Sequence, residues 1–536
     1  MRDEIEPRLF WAGTTLVMVA VAAFLLVQLS AWPPHEDETL ALFVGRGSLA
    51  ELLDTVLGQR GGAPLHFLFA WLVAHLGGGL TCLRLLSALF AVASIPVVAL
   101  LAARLAGRTI ALATTALVAG SWILLFHGIY ARMYSLFLLT SALSYLALLI
   151  AVDRGGRRQW IIWGVAVLAA VATHPYGALV LASQGCYVLL RRTRLRESVP
   201  AFAAVGLAGI PFWYTDLVLA GRFDVGVGVG AGGARRASPF SVLRYLADVA
   251  GDFTAGWRPV LVLVLVMAGW GLWRLARTRP ATAMLVGVVF ALPTLALLLA
   301  RFGESTSPES RHLIFALPFF ALIVAAGIVE LARRRFPAAP MLAAMALAGL
   351  LSAEIAWARD KTPPLFSGDP QARVQAREAA SAWLASVSAS NDVLFGYEPV
   401  YLGAWERSRN VSRTVVPRAD ARLALEVLRK APRPLGRGVW LFDAAENNNF
   451  APMLTIPLRL PWPEGEFEGR IFGPYLIIRT KEPSVTPRKY LEQASQVMIL
   501  GKSLLIGDAD VNFVTVRRAA YRLERSVPRS FSSSSR

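Results

Sequence analysis

Charge is scarce in this chain. Asp, Glu, Lys and Arg together make up 17% of the 536 residues, against about 25% in an ordinary soluble domain. That shortage excludes a conventional water-soluble protein over most of the length. Acids are scarcer than bases, 36 against 54, which leaves a net charge of +18. Such an excess can mark a nucleic-acid binder, but no basic-aromatic module accompanies it, so no nucleic acid is expected as a partner. Cysteine is almost missing: Cys82 and Cys186 both lie in apolar runs and are read as inert buried thiols, not as a disulfide. The chain has no GxxxxGK[ST], no HExxH and no pair of CxxC motifs. An ATPase or zinc-hydrolase assignment therefore has no motif to rest on. No internal repeat is visible, which speaks against a transporter assembled from repeats.

What the chain has instead is apolar length. Hydrophobic residues reach 55% and gather in runs near the ~20 residues needed to cross a bilayer. The runs are Phe10–Ala31, Cys82–Leu105, Ala111–His127, Tyr134–Val152, Ile161–Thr173, Gly177–Leu190, Val199–Leu219, Pro259–Leu275, Ala281–Ala300, His312–Leu331 and Pro340–Trp357. They predict about eleven spanning helices. The first is read as an uncleaved anchor, because it is too long for a signal-peptide core and Trp32-Pro33-Pro34 is a poor cleavage site. Pro64–His75 is too short to cross and is expected as a re-entrant or interfacial helix.

The basic residues sort by loop. Arg104 and Arg108, then Arg154, Arg157 and Arg158, then Arg191, Arg192, Arg194 and Arg196, then Arg274, Arg277 and Arg279, and last Arg333, Arg334 and Arg335 each follow an even-numbered run. By the positive-inside rule those loops and the N-terminus are cytoplasmic. The expectation is a multi-pass cell-membrane protein with its odd-ended loops and C-terminal region outside. All six histidines, His35, His66, His75, His127, His174 and His312, fall at or near that outer side.

The fold class expected is mainly α: a polytopic helical membrane domain over residues 1–358, with a small extracytoplasmic α/β domain over 359–529 and a disordered tail over 530–536. In the second part, strand-like runs (Val393–Tyr397, Gly438–Phe442, Tyr475–Ile478) alternate with helical patterns (Gln371–Val387, Ala419–Leu428, Ser484–Ser495). The glycine-rich stretch Gly226–Gly233 is read as a flexible outer loop.

Polar chemistry concentrates in the first outer loop, residues 32–80. Glu36, Asp37 and Glu38 follow Pro33-Pro34 and open an amphipathic pattern (Leu40, Phe43, Val44, Leu49, Leu52, Leu53, Val56) that predicts a helix lying on the membrane surface. An acid at a helix start is often only a cap; three in a row beside a membrane cavity can supply a general base. Arg132 and Tyr134, in Ile129–Tyr134, are either interfacial anchors or an anion site, since Arg suits bidentate phosphate contact. His174-Pro175-Tyr176 and the pair Arg311-His312 pose the same choice, and Arg84, in an apolar helix start, demands a partner.

Four segments resemble the GT-C glycosyltransferases, in particular the family 39 branch that holds protein O-mannosyltransferases and aminoarabinose transferases. They are Asp37-Glu38 just after the first run, Pro64-Leu65-His66-Phe67, Leu83-Arg84-Leu85-Leu86-Ser87-Ala88-Leu89 and Ala131-Arg132-Met133-Tyr134-Ser135-Leu136. The resemblance implies an inverting transferase that moves a hexosyl or pentosyl unit from a polyprenyl-phosphate-linked donor to a glycan, lipid or protein acceptor on the outer face. Asp37 would be the catalytic base and Glu38 its neighbour in the motif. Arg60, His66, Arg84, Arg132, Tyr134, His174, Arg311 and His312 would bind substrate, with membrane lipid around them. Where some members carry Lys before the proline of the second segment, this chain has Ala63, so Arg60 or Arg132 would take the phosphate. His66 stands where a tyrosine is usual and would alter acceptor contacts or the pH dependence. No cofactor and no metal ligand set is expected, with a divalent metal left open. The alternative reading is a transporter or flippase of lipid-linked glycans. Within His35–Glu38 the expectation centres on Asp37, with His35 and Glu36 as bystanders.

Overall fold

The computed structural model describes residues 4–223, 239–299, 309–418, 420–443, 465–504 and 508–526. Gly226–Gly233, the loop from Arg301 to residue 308 and the tail 530–536 lie outside the described residues. Each of the predicted apolar runs is helical over most of its described residues. In chain order the helices are α1 (Pro7–Val27), α2 (Glu36–Gly45), α3 (Leu49–Leu53, continued by a π-turn over Asp54–Arg60), α4 (Pro64–His75), α5 (Leu80–Ala106), α6 (Arg108–Gly120), α7 (Trp122–Ile129), α8 (Tyr134–Arg154), α9 (Arg157–Thr173), α10 (Gly177–Arg191), α11 (Leu195–Ala208), α12 (Ile210–Phe223), α13 (Pro239–Phe253), α14 (Arg258–Thr278), α15 (Pro280–Leu299), α16 (Leu317–Ala332, entered by a 3₁₀ turn over Ser310–Ala316) and α17 (Ala339–Lys361).

Among the described residues, 7 helices are long and apolar enough to cross a membrane, and two bent pairs raise that to 9. The pairs have local causes. At α6–α7, Ser121 takes an extended backbone (ψ 138°) and the axis turns by 55°. At α11–α12, Pro211 has no N–H to donate, and the axis turns by 53°. Two further predicted runs, α9 (17 residues) and α10 (15 residues), are helices too short to pass the same test.

The central helix is α16, buried almost throughout from Leu317 to Ile328. It can lie against α14 because glycines meet at the crossing: a Cβ on Gly271 would fall 1.9 Å from the Ile323 carbonyl oxygen, and one on Gly327 2.3 Å from that of Met267. Small residues at the contact are how helices approach closely in lipid, where no hydrophobic drive separates helix from tail. Polar side chains tie other helices together, as in Tyr145–Ser183 (2.6 Å), Trp163–Gln184 (2.6 Å) and Gln184–Ser144 (2.8 Å). Cys82 and Cys186 are both free, and Cys82 is exposed, not buried as expected.

The five basic clusters converge on one end of the bundle. Arg104 pairs with Asp153 (2.7 Å), Arg194 donates to the carbonyls of Val152 and Asp153, Arg279 donates to that of Leu105, and Arg274 pairs with Glu330. The N-terminal segment joins them through Glu4 and Arg108. Four of the six histidines, His35, His127, His174 and His312, meet elsewhere through a shared set of rings.

After α17 come a short α18 (Pro364–Ser367) and α19 (Gln371–Val387), then β1 (Val393–Phe395), α20 (Pro399–Arg407), β2 (Val415–Val416), α21 (Ala421–Lys430), β3 (Gly438–Asp443), β4 (Phe467–Phe472), β5 (Tyr475–Thr480), α22 (Pro487–Leu504) and α23 (Asp508–Ser526). The five strands form one sheet in the order β2-β1-β3-β5-β4. β1 runs parallel to both β2 and β3; β5 runs antiparallel to β3 and β4. The α/β alternation is as the pattern suggested. β2, of two residues, and β4, with a half-exposed face, carry too weak a signal to be read in advance.

One expectation is overturned here. The amphipathic pattern from Leu40 to Val56 is not one continuous helix. It breaks at Arg46-Gly47, Ser48 caps a second helix, and Leu40, Phe43 and Val44 pack on the sheet domain together with Tyr397, Tyr401 and Trp405. Leu40, Phe43 and Val44 thus serve a protein surface, while Leu49 and Leu53 of α3 stay exposed. A period alone does not say which apolar surface a helix meets.

Candidate active site

The three consecutive acids of α2 face three different ways. Successive helical residues project about 100° apart, so one short turn can serve three surroundings. His35 closes the N-terminus: its Nδ1 accepts the Asp37 N–H (3.1 Å), and Glu38 reaches back to accept the His35 N–H (3.3 Å). This is a capping box with histidine in the place usually held by Ser or Thr.

Glu38 turns inward and is fully buried. It accepts from Arg84 Nε (2.8 Å), Arg84 Nη2 (2.6 Å) and the Ala131 N–H (2.9 Å). Arg84 spends its remaining donors on the carbonyls of Trp32 (2.8 Å), Leu29 and Pro33. The partner that Arg84 demanded is therefore Glu38, and the pair knots the end of α1, α2, α5 and the loop before α8 into one block.

Asp37 faces the cluster of rings. Its Oδ2 accepts from the Tyr130 hydroxyl (3.3 Å), its Oδ1 lies 3.9 Å from Arg132 Nη1, and its carbonyl accepts from the same Arg132 nitrogen (2.8 Å). Its side chain keeps 37% exposure where that of Glu38 keeps none. Burial works to raise its pKa, but Arg132 first, then His35 and Arg311, outweigh it and hold the carboxyl well below the usual carboxylate range. Burial, reinforced by the Asp37 charge, keeps the Tyr130 phenol protonated, so the hydroxyl donates to Asp37. Arg132 resists the opposite pull of burial through the same carboxylate and stays charged.

Around this pair stand Tyr134, His127, His174, His312 and Tyr176. His127 lies 4.6 Å from Tyr134 ring to ring, His174 lies 5.4 Å from His312, and His174 stacks on Phe137 at 4.9 Å. Arg311 covers the Tyr134 ring at 5.2 Å and pairs with Glu309 (2.5 Å). Of the residues singled out in sequence, the structure thus brings together Asp37, Arg132, Tyr134, His174, Arg311 and His312.

It places three others differently. Arg84 is engaged with Glu38. Arg60 is buried beside the sheet domain, with Nη1 3.5 Å from the Tyr397 hydroxyl and its guanidinium over the Phe67 and Tyr397 rings. His66 is buried at the start of α4, where burial foremost, with Arg132, pushes its imidazole down to about 3. A His whose pKa is lowered is neutral at every pH above that value. His66→Phe is therefore expected to leave the shape of the kcat/KM profile unchanged between pH 5 and 8, contrary to the pH role assigned to it from sequence. A lost or shifted limb in that window would show that His66 titrates in function.

α4 is set by backbone conformation. Gly61 (φ 72°), Gly62 (φ 70°) and Ala63 (φ 48°) all lie in the left-handed region ahead of Pro64. Gly61 has a second reason to lack a side chain: a Cβ would come within 2.2 Å of the Thr215 carbonyl oxygen on α12.

Sequence reasoning passed over three groups. Neither Tyr130 nor His127 stands out in the sequence as a site residue, and His35 reads there as a bystander. His35 had a legible signal, since the third residue after it is Glu38, the spacing of a capping box.

The sequence model of the dolichyl-phosphate-mannose-protein mannosyltransferase family matches residues 61–214. No curated protein matches the chain in sequence. ArnT from Cupriavidus metallidurans bound to undecaprenyl phosphate superposes with a TM-score of 0.50 at 14% identity, covering 87% of this chain and 97% of that one. The oligosaccharyltransferase of Archaeoglobus fulgidus in the apo form superposes with a TM-score of 0.52 at 11% identity, covering 81% and 70%. Identities this low establish the fold alone. The chain thus matches that mannosyltransferase family model over residues 61–214 and shares the fold of ArnT and of the archaeal oligosaccharyltransferase over most of its length.

Proposed function

We propose that this protein transfers a sugar from a polyprenyl-phosphate-linked donor to an acceptor hydroxyl at the outer face of the membrane, with Asp37 as general base. The observation that carries the reading is Asp37 itself, an anionic and partly open carboxylate flanked by Arg132 and Arg311. In the reaction the acceptor O–H gives its proton to Asp37, and its oxygen attacks the anomeric carbon. The bond from that carbon to the phosphate oxygen breaks, and the lipid phosphate departs with the electron pair. Attack opposite the leaving group inverts the anomeric configuration. Arg132 and Arg311 supply positive charge where negative charge develops on the leaving phosphate. Glu38 is not in contact with substrate in this scheme; it holds α2.

Two further features support a lipid donor. The 3₁₀ turn that bears Arg311 and His312 continues into Leu313, which lines an apolar cleft of about 330 Å³ with Phe253, Leu272, Phe290, Pro293 and Phe320. A headgroup held by Arg311 would have its isoprenoid chain led into that cleft. One protein of the same fold, ArnT, is bound to undecaprenyl phosphate. The convergence of the arginine clusters at one end of the bundle supports an N-terminus inside and a site outside.

The test is a transfer assay with purified protein in lipid nanodiscs, offered polyprenyl-phosphate sugars and, separately, nucleotide sugars. Release of free polyprenyl phosphate with acceptor-dependent sugar transfer is expected from the first set only. Consumption of nucleotide sugars in place of the lipid donors would overturn the reading.

A further inference from the structure

The sheet domain has an open parallel core, and such sheets bind their ligands outside the carboxyl ends of the strands, where the strand order reverses. Here the order reverses at β1: the chain leaves β1 to add β2 on one side, then crosses back to add β3 on the other. The crevice at that point is walled on one side by the first loop. It is lined by Glu398 and Pro399 after β1, Asp443 at the end of β3, and Tyr475 and Arg373, and its opposite wall is Pro33, Pro34, His35 and Glu36 of the first loop. The first turn of α2 occupies the place where such a fold would hold a ligand.

The grip is specific. Arg418, just after β2, points Nη1 at Glu36 Oε2 (3.3 Å), pairs with Glu398, and donates Nη2 to the Leu441 carbonyl (3.1 Å). The second Glu36 oxygen accepts the Tyr397 N–H (3.0 Å), and Thr39, one turn on, donates its hydroxyl to the Tyr397 carbonyl. The three charged side chains are 9%, 19% and 5% exposed for Arg418, Glu36 and Glu398. Gly396 (φ 86°) leaves room for this: a Cβ there would fall 2.6 Å from Arg418 Nε. Two sides of α2 are thus fixed by different parts of the protein, Glu38 by the helical bundle and Glu36 by the sheet domain, with Asp37 between them.

We infer that Arg418 is a positioning residue for the base: through Glu36 it lets the C-terminal sheet domain set where the Asp37 carboxylate stands against Tyr130 and Arg132. The inference rests on the reading of Asp37 as the base. Its consequence is kinetic. Misplacing a reacting group by about 1 Å costs on the order of 100-fold in rate, and no group that touches the donor is removed.

The experiment compares wild type with Arg418→Met, Arg418→Lys, Glu36→Gln and Asp37→Asn in the nanodisc transfer assay, each checked for a monodisperse, cooperatively melting preparation. Arg418→Met is expected to lower kcat by about 10- to 100-fold, with the KM for the lipid donor within about twofold of wild type, and Arg418→Lys to recover part of the loss. A folded Arg418→Met with wild-type kcat, or with a raised donor KM and unchanged kcat, overturns the inference. If Arg418→Met does not fold, Glu36→Gln decides, because it keeps an acceptor for the Tyr397 N–H and removes only the charge. Reduced kcat at unchanged KM supports the inference, and wild-type kcat overturns it. An active Asp37→Asn would fell the reading of the base itself, whatever Arg418 does.

Discussion

Asp37→Asn is expected to reduce kcat by about 10²- to 10⁴-fold, the usual contribution of a positioned general base, with donor KM changed little. The substitution is mild in every respect but charge. The amide oxygen can still accept from the Tyr130 hydroxyl, and the Arg132 contact to the Asp37 carbonyl involves backbone and survives. A folding defect is therefore not the expected cause of the loss. Turnover within about threefold of wild type in a folded variant would remove Asp37 from the mechanism.

The same surroundings set a condition on how Asp37 can work. A carboxyl held well below its usual range is a weak base in the empty site. The groups that hold it there are Arg132, His35 and Arg311, and the two arginines are in the proposed complex shared with the donor phosphate. An anion arriving beside them reduces their net pull on Asp37, so the carboxylate becomes more basic when donor is bound. Since kcat/KM reports the free enzyme and kcat the complex, the acidic limb of kcat is expected at higher pH than that of kcat/KM. Coincident limbs would mean that donor and base do not share their cations.

Much of this was written in the sequence, and the part that was not has a physical reason. Spans follow from local composition, so the helices lie where the apolar runs do. Arg132, Tyr134, His174 and Arg311 were legible because a polar group at the end of an apolar run must be satisfied or used, and Asp37 stood out only through the resemblance that the later segments carry. Glu36 was set aside because its partners, Arg418 and the Tyr397 amide, lie in the C-terminal domain, and nothing local to His35–Glu38 separates one acid from the next. Their different fates come from helical rotation between two bodies, which is a tertiary fact. Arg84 shows the limit from the other side. Its need for a partner was evident, but whether that partner was a substrate or Glu38 depended on how α5 meets α2.

That pair carries the second large effect. Glu38→Gln is expected to destabilise the folded protein by about 3–5 kcal/mol, the range for breaking a buried ion pair by removing one partner. The cost comes from what is left behind: the Arg84 side chain is 4% exposed, and its charge would have no anion in a medium that solvates it poorly. Gln can still accept from the Ala131 N–H, so the lost charge and not a lost hydrogen bond drives the effect. Glu38→Gln combined with Arg84→Met strands no charge and should therefore be more stable than Glu38→Gln alone, as a thermal melt in detergent would register. The double variant also separates two roles for Glu38. If Glu38 only holds α2, the double variant, once folded, should transfer sugar faster than Asp37→Asn. If Glu38 touched the reacting atoms, the double variant would be as inactive as Asp37→Asn however well it folded. The first outcome is expected, because a carboxylate with no exposed surface and four donors already in place has no face left to offer a substrate.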